Sequence, residues 1–430
     1  MKKIIVLCVA ALSLPIAIAQ EKITLTQAEC RQMALSHSED LQKADNAVMQ
    51  AELDKDIAFA AYLPKLDATA TGTYMFPDMD MMGAKLQMRG MYLAGISLTQ
   101  PIYAGGQIRA GNRLSEIGKD CALENQRKAR MQVIADADNA YWTYIAVLWK
   151  VRMLESYKAQ MDTLFRQTES GVSAGMATEN DLLRITAKKS EIHYQLQKAE
   201  NGANLCRLAL CNVLGCDLNT PIEPTDTVIK VSLPAELDTD ISMRPELRLL
   251  HKQVEAAEQQ VKMSRAEVLP TIGLSAGYMY FGNIKMKSEV GGQSFTQKIE
   301  DGNALVSVLV NIPLFHWGEG TKKIKKARLD LQNAQLDLQK NTRLLSIEAQ
   351  QSMQNVDDSY RLIETAKLGC EQAKENLRMM RDRYDSGMCS LTDLLDAQSQ
   401  WSQSQSNMIE AQTQYKIHET EYLRVVGRLE

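Results

Sequence analysis

The run Gly273-Leu274-Ser275-Ala276-Gly277 has the spacing of a hydrolase nucleophile. A serine in that frame works only on a sharp strand-to-helix turn that lifts its Oγ toward an oxyanion hole. Here the run lies inside a period-two alternation that continues through Tyr280, so Ser275 reads as a strand residue and not a nucleophile. The five histidines, His37, His193, His251, His316 and His418, are scattered and have no metal-ligand spacing. There is no phosphate-cradling P-loop. No enzyme activity, metal or cofactor is expected.

Cysteine chemistry comes next. Cys206, Cys211 and Cys216 recur every five residues, which would put successive side chains on different faces of a helix. With Cys30, Cys121, Cys370 and Cys389 they make an odd set without a close CxxC pair. They are read as small hydrophobes in helix seams, with a disulfide or metal site as the alternative that a count of free thiols on the denatured, unreduced protein would test. Residues 1–19 carry Lys2 and Lys3, an apolar core and a small-x-small site at Ala17-Ile18-Ala19, the pattern of a cleaved export signal. Cys8 lies within that core, so an unlipidated mature chain from Gln20 is expected. Cleavage removes two lysines and no acid, taking the formal charge from −4 to −6. That balance leaves no basic footprint for nucleic acid. No remaining stretch reaches the length of a spanning helix, so entry into a membrane would require a closed barrel.

The elements that must position any site come in two copies. Leu63-Pro64-Lys65-Leu66 answers to Leu269-Pro270-Thr271-Ile272, and Pro101-Ile102-Tyr103 to Pro313-Leu314-Phe315. The stretch Gly175 to Leu183 answers to Gly387 to Leu395, and Leu214-Gly215 to Val426-Gly427. The offset is 206 at the first landmark and 212 at the later ones, so the extra residues fall between the strands. The chain therefore divides into residues 1–19 as signal, 20–234 as a first repeat and 235–430 as a second. Each repeat reads helix, strand, loop, strand, very long helix, break, helix.

The first helix opens at Thr26-Gln27-Ala28-Glu29 with capping-box spacing. The long helix of the second repeat, from about Gly320 to Tyr384, carries a seam stepping by three and four. It runs from Ile324 and Ala327 through Ala349, Ser352, Val356 and Ser359 to Met380 and Tyr384. Two four-residue steps from Asn341 to Ala349 form a stutter that locally unwinds a supercoil. A helix of about 65 residues is about 98 Å long. Its seam is mostly small or polar, which lets helices approach closely on two sides, as the wall of a tube requires. After each break, Thr178-x-x-Asp181 and Ser390-x-x-Asp393 have helix-start spacing, with an acid suited to the helix dipole.

Four segments alternate with period two. Ile272, Leu274, Ala276, Tyr278 and Tyr280 oppose Gly273, Ser275, Gly277 and Met279, and Val306, Val308, Val310 and Ile312 oppose Ser307, Leu309 and Asn311. Each is about ten residues, the length of a tilted membrane strand. Tyr103, Phe315 and Trp317 mark one end of the strands, and Tyr74, Phe76, Tyr92, Tyr280 and Phe281 the other, as the two girdles of a transmembrane barrel would. Four strands cannot close a barrel, so either the chain oligomerises or the strands are not in a membrane. Polar hairpin loops are expected over about Pro77 to Arg89 and Gly282 to Asn303.

These landmarks together resemble the outer-membrane efflux family, the TolC-like channels, over essentially the whole mature chain. The resemblance implies a mainly α fold with a small β part. It implies a homotrimer with a twelve-stranded barrel in the outer membrane, continued by a helical barrel across the periplasm. It also implies a passive exit duct for efflux or type I secretion, with a periplasmic adaptor and an inner-membrane pump as partners. In that family acidic rings narrow the periplasmic tip, and a tyrosine and an arginine hold it shut. Carried over residue by residue, Asp393 and Asp396 fall on the ring positions, Tyr384 on the gate tyrosine and Asp181 on the first-repeat aspartate. Like charges gathered there should raise one another's pKa values and attract cations. Cys389 stands where the family has its arginine, and Arg184 or Arg383 is the candidate replacement. The competing reading is a periplasmic coiled-coil adaptor or a structural protein. An adaptor, however, needs a domain of consecutive strands, and here the strands come in two separated pairs.

Overall fold

A computed structural model describes residues 23–81, 84–226, 231, 237–290 and 293–429. The expected export signal, and much of the stretch joining the repeats, lie outside them. The elements in order are β1 (Ile23–Leu25), α1 (Gln27–His37), α2 (Glu39–Ala60), β2 (Lys65–Tyr74), β3 (Met79–Met81), β4 (Ala84–Gln87), β5 (Arg89–Ala104) and α3 (Gln107–Ser173). There follow α4 (Glu179–Leu214), β6 (Ile222–Pro224), α5 (Pro245–Ala266), β7 (Thr271–Val290), β8 (Gln293–Asn311), α6 (Glu319–Asp385) and α7 (Leu391–Val425). The architecture is mainly α with a small β part, and the succession of helix, strands, long helix and helix occurs twice.

The long helices α3 and α6 each run 67 residues. On α6 every seam position from Ile324 to Tyr384 is buried or half-buried, and Ala349, Val356 and Ser359 are almost wholly so. Small seam residues leave no bulk for a leucine-type core, so burial here comes from close helix approach. Of the seam hydroxyls, Ser359 Oγ donates to the Asn355 carbonyl one turn back, whereas Ser352 Oγ is buried without a hydrogen-bond partner among the described residues.

The chain forms two compact units, each drawn from both repeats. The first comprises the described residues within Met1–Leu41, Ala129–Ile241 and Ser346–Glu430. Its main core gathers Tyr141, Trp142, Ile145, Leu210 and Leu214 beneath the parallel pair β1–β6. Cys30 and Cys211 are buried in this cluster, and Cys206 and Cys216 pack against it. The even spacing of the cysteines does not spread them as a continuous helix would. The helix stops at Leu214, Gly215 turns left-handed, and Cys216 is folded back until its amide donates to the Cys211 carbonyl at 3.1 Å. One carboxylate, Asp138, is almost fully buried in this unit. Arg31 (Nε at 2.8 Å, Nη2 at 2.6 Å), Gln27 Nε2 and Thr420 Oγ1 all donate to it, so three helices share one fully engaged anion.

The second unit, the described residues within Gln42–Lys128 and Ser242–Leu345, holds the sheet. Strands β2, β5, β7 and β8 lie side by side and antiparallel, with β4 pairing the upper part of β7 and β3 pairing β4. Here the sequence reading needs correction. The expected ten-residue strands with polar loops are in fact 16, 20 and 19 residues in β5, β7 and β8. The segment from Gly282 onward, expected to be a loop, is hairpin, with pairs such as Lys285↔Lys298 and Lys287↔Thr296. Ile284 and Met286 alternate there with Lys285 and Lys287, but the polar and glycine-rich residues that follow, from Ser288 to Gln297, keep the apolar run too short to mark a strand. The nucleophile-like run Gly273 to Gly277 lies inside β7, with no strand-to-helix turn near Ser275.

Candidate functional site

Two features of the structure can carry a function, one in each unit. The first is the sheet. Its register aligns Leu66, Leu98, Ala276 and Val306 in one row, Ala68, Ile96, Tyr278 and Ala304 in the next, and Leu274 with Val308 below. All these residues point to one face. The opposite face carries Asp67, Ser97 and Gly277, then Thr69, Gly95 and Asn303, then Thr99, Ser275 and Ser307, with Met279, Leu305 and Leu309 as the exceptions. The apolar face is bare in the single chain: Leu66 is 70% exposed, Val306 72% and Val308 65%. Among the described residues the outer edges of β2 and β8 have no partner strand. A sheet with one bare apolar face, one small polar face and two open edges is unfinished in water.

At the lower end of the strands Tyr103, Phe315 and Trp317 are exposed, the last two with ring centroids 5.1 Å apart. At the other end Tyr92 and Tyr280 lie 6.0 Å apart. The strands turn into the long helices through Gly105-Gly106 in the first repeat and Trp317-Gly318 in the second, all four with positive φ. At Gly105 a Cβ would come within 2.7 Å of the Ala266 carbonyl oxygen, so glycine is required there.

The second feature is the pair of helix breaks in the first unit. Each is built the same way. After α3, Gly175 N donates to the Val172 carbonyl and Met176 N to the Gly171 carbonyl; after α6, Gly387 N donates to Tyr384 O and Met388 N to Arg383 O. Both are left-handed glycine caps that close the preceding helix. The next helices open with Thr178 and Ser390, whose hydroxyls accept the amides of Asp181 and Asp393. Asp181 Oδ2 in turn accepts from Thr178 Oγ1 at 2.7 Å and Thr178 N at 3.2 Å. Asp393 Oδ2 accepts from Ser390 Oγ at 2.7 Å and Ser390 N at 3.1 Å. The helix-start reading of these two acids is thus the observed geometry of the single chain.

The electrostatics within one chain follow from those bonds. Hydrogen bonds from Thr178 hold Asp181 below the ordinary carboxylate range, with the Arg184 charge adding to the effect. Those from Ser390 lower Asp393 in the same way. This is opposite in sign to the mutual raising expected of a carboxylate ring, which needs more than one copy. Asp396 lies one turn further along α7, exposed, and takes no part in the cap.

A shared apolar cluster brings the two breaks together. Tyr157, Met161, Ile185, Ile192, Leu391 and Leu394 are buried, and Tyr384, Met380 and Leu395 pack against them. Arg184 Nη1 donates to Thr392 Oγ1 from one break to the other, and Gln398 Nε2 to Gln160 Oε1 at 2.7 Å. Cys389 is half-buried and its thiol donates to the Met380 carbonyl at 3.4 Å. Among the described residues no hydrogen bond or ion pair links Tyr384 to Asp181, Arg184 or Arg383, so one chain does not assemble a tyrosine–arginine–aspartate lock. Sequence reasoning gave no role to Met176, Leu183 and Met388, which are 82%, 68% and 73% exposed beside the breaks. Their signal was present in the doubled Gly-Met pair.

A family model described as outer membrane efflux protein matches residues 30–215 and 238–428. The probable outer membrane lipoprotein SilC of Salmonella typhimurium is 21% identical over 405 residues, covering 92% of this chain and 84% of that protein. The outer membrane protein TolC of Vibrio cholerae is 20% identical over 436 residues, covering 97% and 95%. Among solved structures, the Campylobacter jejuni CmeC outer membrane channel superposes with a TM-score of 0.77 at 19% identity, covering 94% of this chain and 86% of that one.

Proposed function

This chain belongs to the outer membrane efflux protein family, and on that premise we propose how its sheet and its helix breaks divide the work. It is an outer-membrane channel protein of an efflux or secretion system, extending into the periplasm and acting with a periplasmic adaptor and an inner-membrane pump. Its part is passive conduction, without catalysis of its own. Three copies of the four-stranded sheet close a twelve-stranded barrel, with β8 of one copy pairing β2 of the next. The helices of the repeats at 20–234 and 235–430 continue it as a tube.

The observation that carries this reading is the two-faced sheet. Its Leu, Ile and Val rows meet lipid, its Ser, Thr, Asp and Gly rows line water, and closure satisfies the open edges that a membrane forbids. Exposed apolar stripes on α2 (Met49, Leu53, Ile57) and α6 (Leu329, Leu336, Leu344) support closure by further copies in the helical part. Fractionation tests the reading directly: the protein should remain in the outer membrane after alkaline washing and require detergent for release. Recovery as soluble periplasmic material would instead support the adaptor alternative.

At the helix breaks the constriction is assigned to Asp393, Asp396, Tyr384 and Asp181. What supports it is the gathering of both breaks around one apolar cluster, with Asp181 and Asp393 in the first turn of the helix after each break. Asp181 and Asp393 have a cap to hold, whereas Asp396 has no structural duty in the single chain. The sharp test is therefore Asp396→Ala in planar bilayers. Conductance should rise and cation block should weaken; wild-type behaviour would remove Asp396 from the ring.

A further inference from the structure

The opening of α6 is strongly basic: Lys322, Lys323, Lys325, Lys326 and Arg328 fall within its first three turns. Lys323 is committed to Glu267 at 2.9 Å and Glu319 at 3.1 Å. Lys322, Lys325, Lys326 and Arg328 are exposed, and among the described residues none makes an ion pair. Asp330, four residues beyond Lys326, is not bonded to it. This placement is unfavourable for the chain alone. A helix N-terminus repels cations, and like charges three and four residues apart repel one another. The equivalent positions in the first repeat, 212 residues earlier, are Ala110, Arg113, Leu114 and Glu116. The basic cluster is therefore no requirement of the fold.

The turn before it is also unfavourable locally. Trp317 sits at φ 50°, left-handed backbone that the first repeat gives to Gly105 at φ 61°. Its side chain is 84% exposed and lies beside Phe315, the two rings tilted at 60° with centroids 5.1 Å apart. An exposed indole held in a glycine conformation, followed within three turns by four uncompensated cations, calls for an amphipathic partner with an apolar body and an anionic head.

We propose that Trp317 with Lys322, Lys325, Lys326 and Arg328 forms a binding surface for anionic phospholipids at the membrane surface where strands pass into helices. The indole lies at the level of the headgroups, and the cations on the following turns engage their phosphates. The inference rests on the sheet being membrane-embedded. It goes beyond that reading by giving the embedded protein a lipid preference and fixing its depth on the helical side.

The test uses the full chain in phosphatidylcholine vesicles doped with phosphatidylglycerol. Spin-labelled lipids report which headgroup is held at the protein surface, and conductance is recorded on the same preparation. Wild type should prefer phosphatidylglycerol, and K322Q/K325Q/K326Q/R328Q should lower that preference about fivefold or more with conductance retained. K322R/K325R/K326R should keep it, and added salt should weaken it. An unchanged preference in the Gln variant overturns the proposal. So does loss of the oligomer with the preference per chain intact, because the cations would then serve the acids of another copy. If wild type neither enters vesicles nor conducts, the membrane reading fails and this inference falls with it. If it conducts without headgroup preference, only the inference falls.

Discussion

Asp138 is tolerated inside the first unit because Arg31, Gln27 and Thr420 all donate to its carboxylate. Asp181 and Asp393 were legible as helix starters, because a hydroxyl three residues before an acid encodes a reciprocal cap. Asp138 was not: nothing in a helical run of mixed charge marks the one carboxylate that will be buried under Arg31, Gln27 and Thr420. The cysteines lie between these cases: Cys206 and Cys211 share α4 at the spacing that separates their faces, but Cys216 lies beyond the helix end, where the turn at Gly215 folds it back. Their environment has a testable consequence. Burial pushes the Cys30 thiol up to about 12 and the Cys216 thiol up to about 11. A folded pKa above the unfolded one means the fold favours the neutral thiol. That contribution is complete below the unfolded value of about 8.5 and drains away as pH rises toward the folded value. Thermal stability should hold through neutral pH and fall between about pH 9 and pH 12. Tyr141 and Tyr144, also raised by burial, act in the same direction, so the comparison is with Cys30→Ala, whose alkaline loss should be shallower. Identical slopes for the two proteins would remove Cys30 from the account.

At the scale of elements, the long helices were legible because a seam stepping by three and four over nearly twenty turns has no other reading. The hairpin above β7 and β8 was not legible. Beyond Phe281 the apolar row is short, Ile284 and Met286 with Ile299 on the paired strand, and two alternating positions are too few to mark a strand among the polar residues around them. The breaks after α3 and α6 are the most strongly specified elements of all, each fixed by a left-handed glycine and a reciprocal cap. Thr178→Ala and Ser390→Ala each remove the acceptor for an orphan amide and a donor to the following aspartate, and should each cost about 1 kcal/mol of stability. The effect should extend beyond the cap, because Leu391, Leu394 and Ile185 follow the caps directly and belong to the cluster shared by both breaks. The double variant should therefore show hydrogen exchange at 185–192 and 391–398 together, faster than either single variant. Exchange accelerating only beside the mutated residue would mean that the two breaks do not behave as one structure. The acid limb follows from the lowered Asp181 and Asp393. Their stabilisation is present above the unfolded carboxylate pKa and is lost as pH falls through the folded one.

For the whole molecule, the single chain is informative through what it leaves unfinished. Its sheet has open edges, and its helices carry two kinds of apolar row. On α6 the seam from Ile324 to Tyr384 is covered within the chain, whereas Leu329, Leu336 and Leu344, at 60%, 54% and 52% exposure, form a second row left exposed among the described residues. Met49, Leu53 and Ile57 do the same on α2. Two uncovered rows on different helices of one unit suit a head-to-tail contact, α6 of one copy against α2 of the next, which is the sense in which β8 would meet β2. Such a heterologous contact closes into a ring when the rotation allows it. Leu329→Lys with Leu336→Lys keeps the helix, since lysine is nearly as good a helix former as leucine, and leaves the covered seam untouched. It should nevertheless place charge in the contact between copies. The expected result is loss of the oligomer in mild detergent, seen by light scattering, with circular dichroism unchanged and conductance abolished. Equal substitutions at exposed polar positions such as Gln332 and Gln339 should leave the assembly whole. If instead the lysine variant remains an oligomer that conducts, the row is not an interface, and closure of the barrel must rest on the strand edges alone.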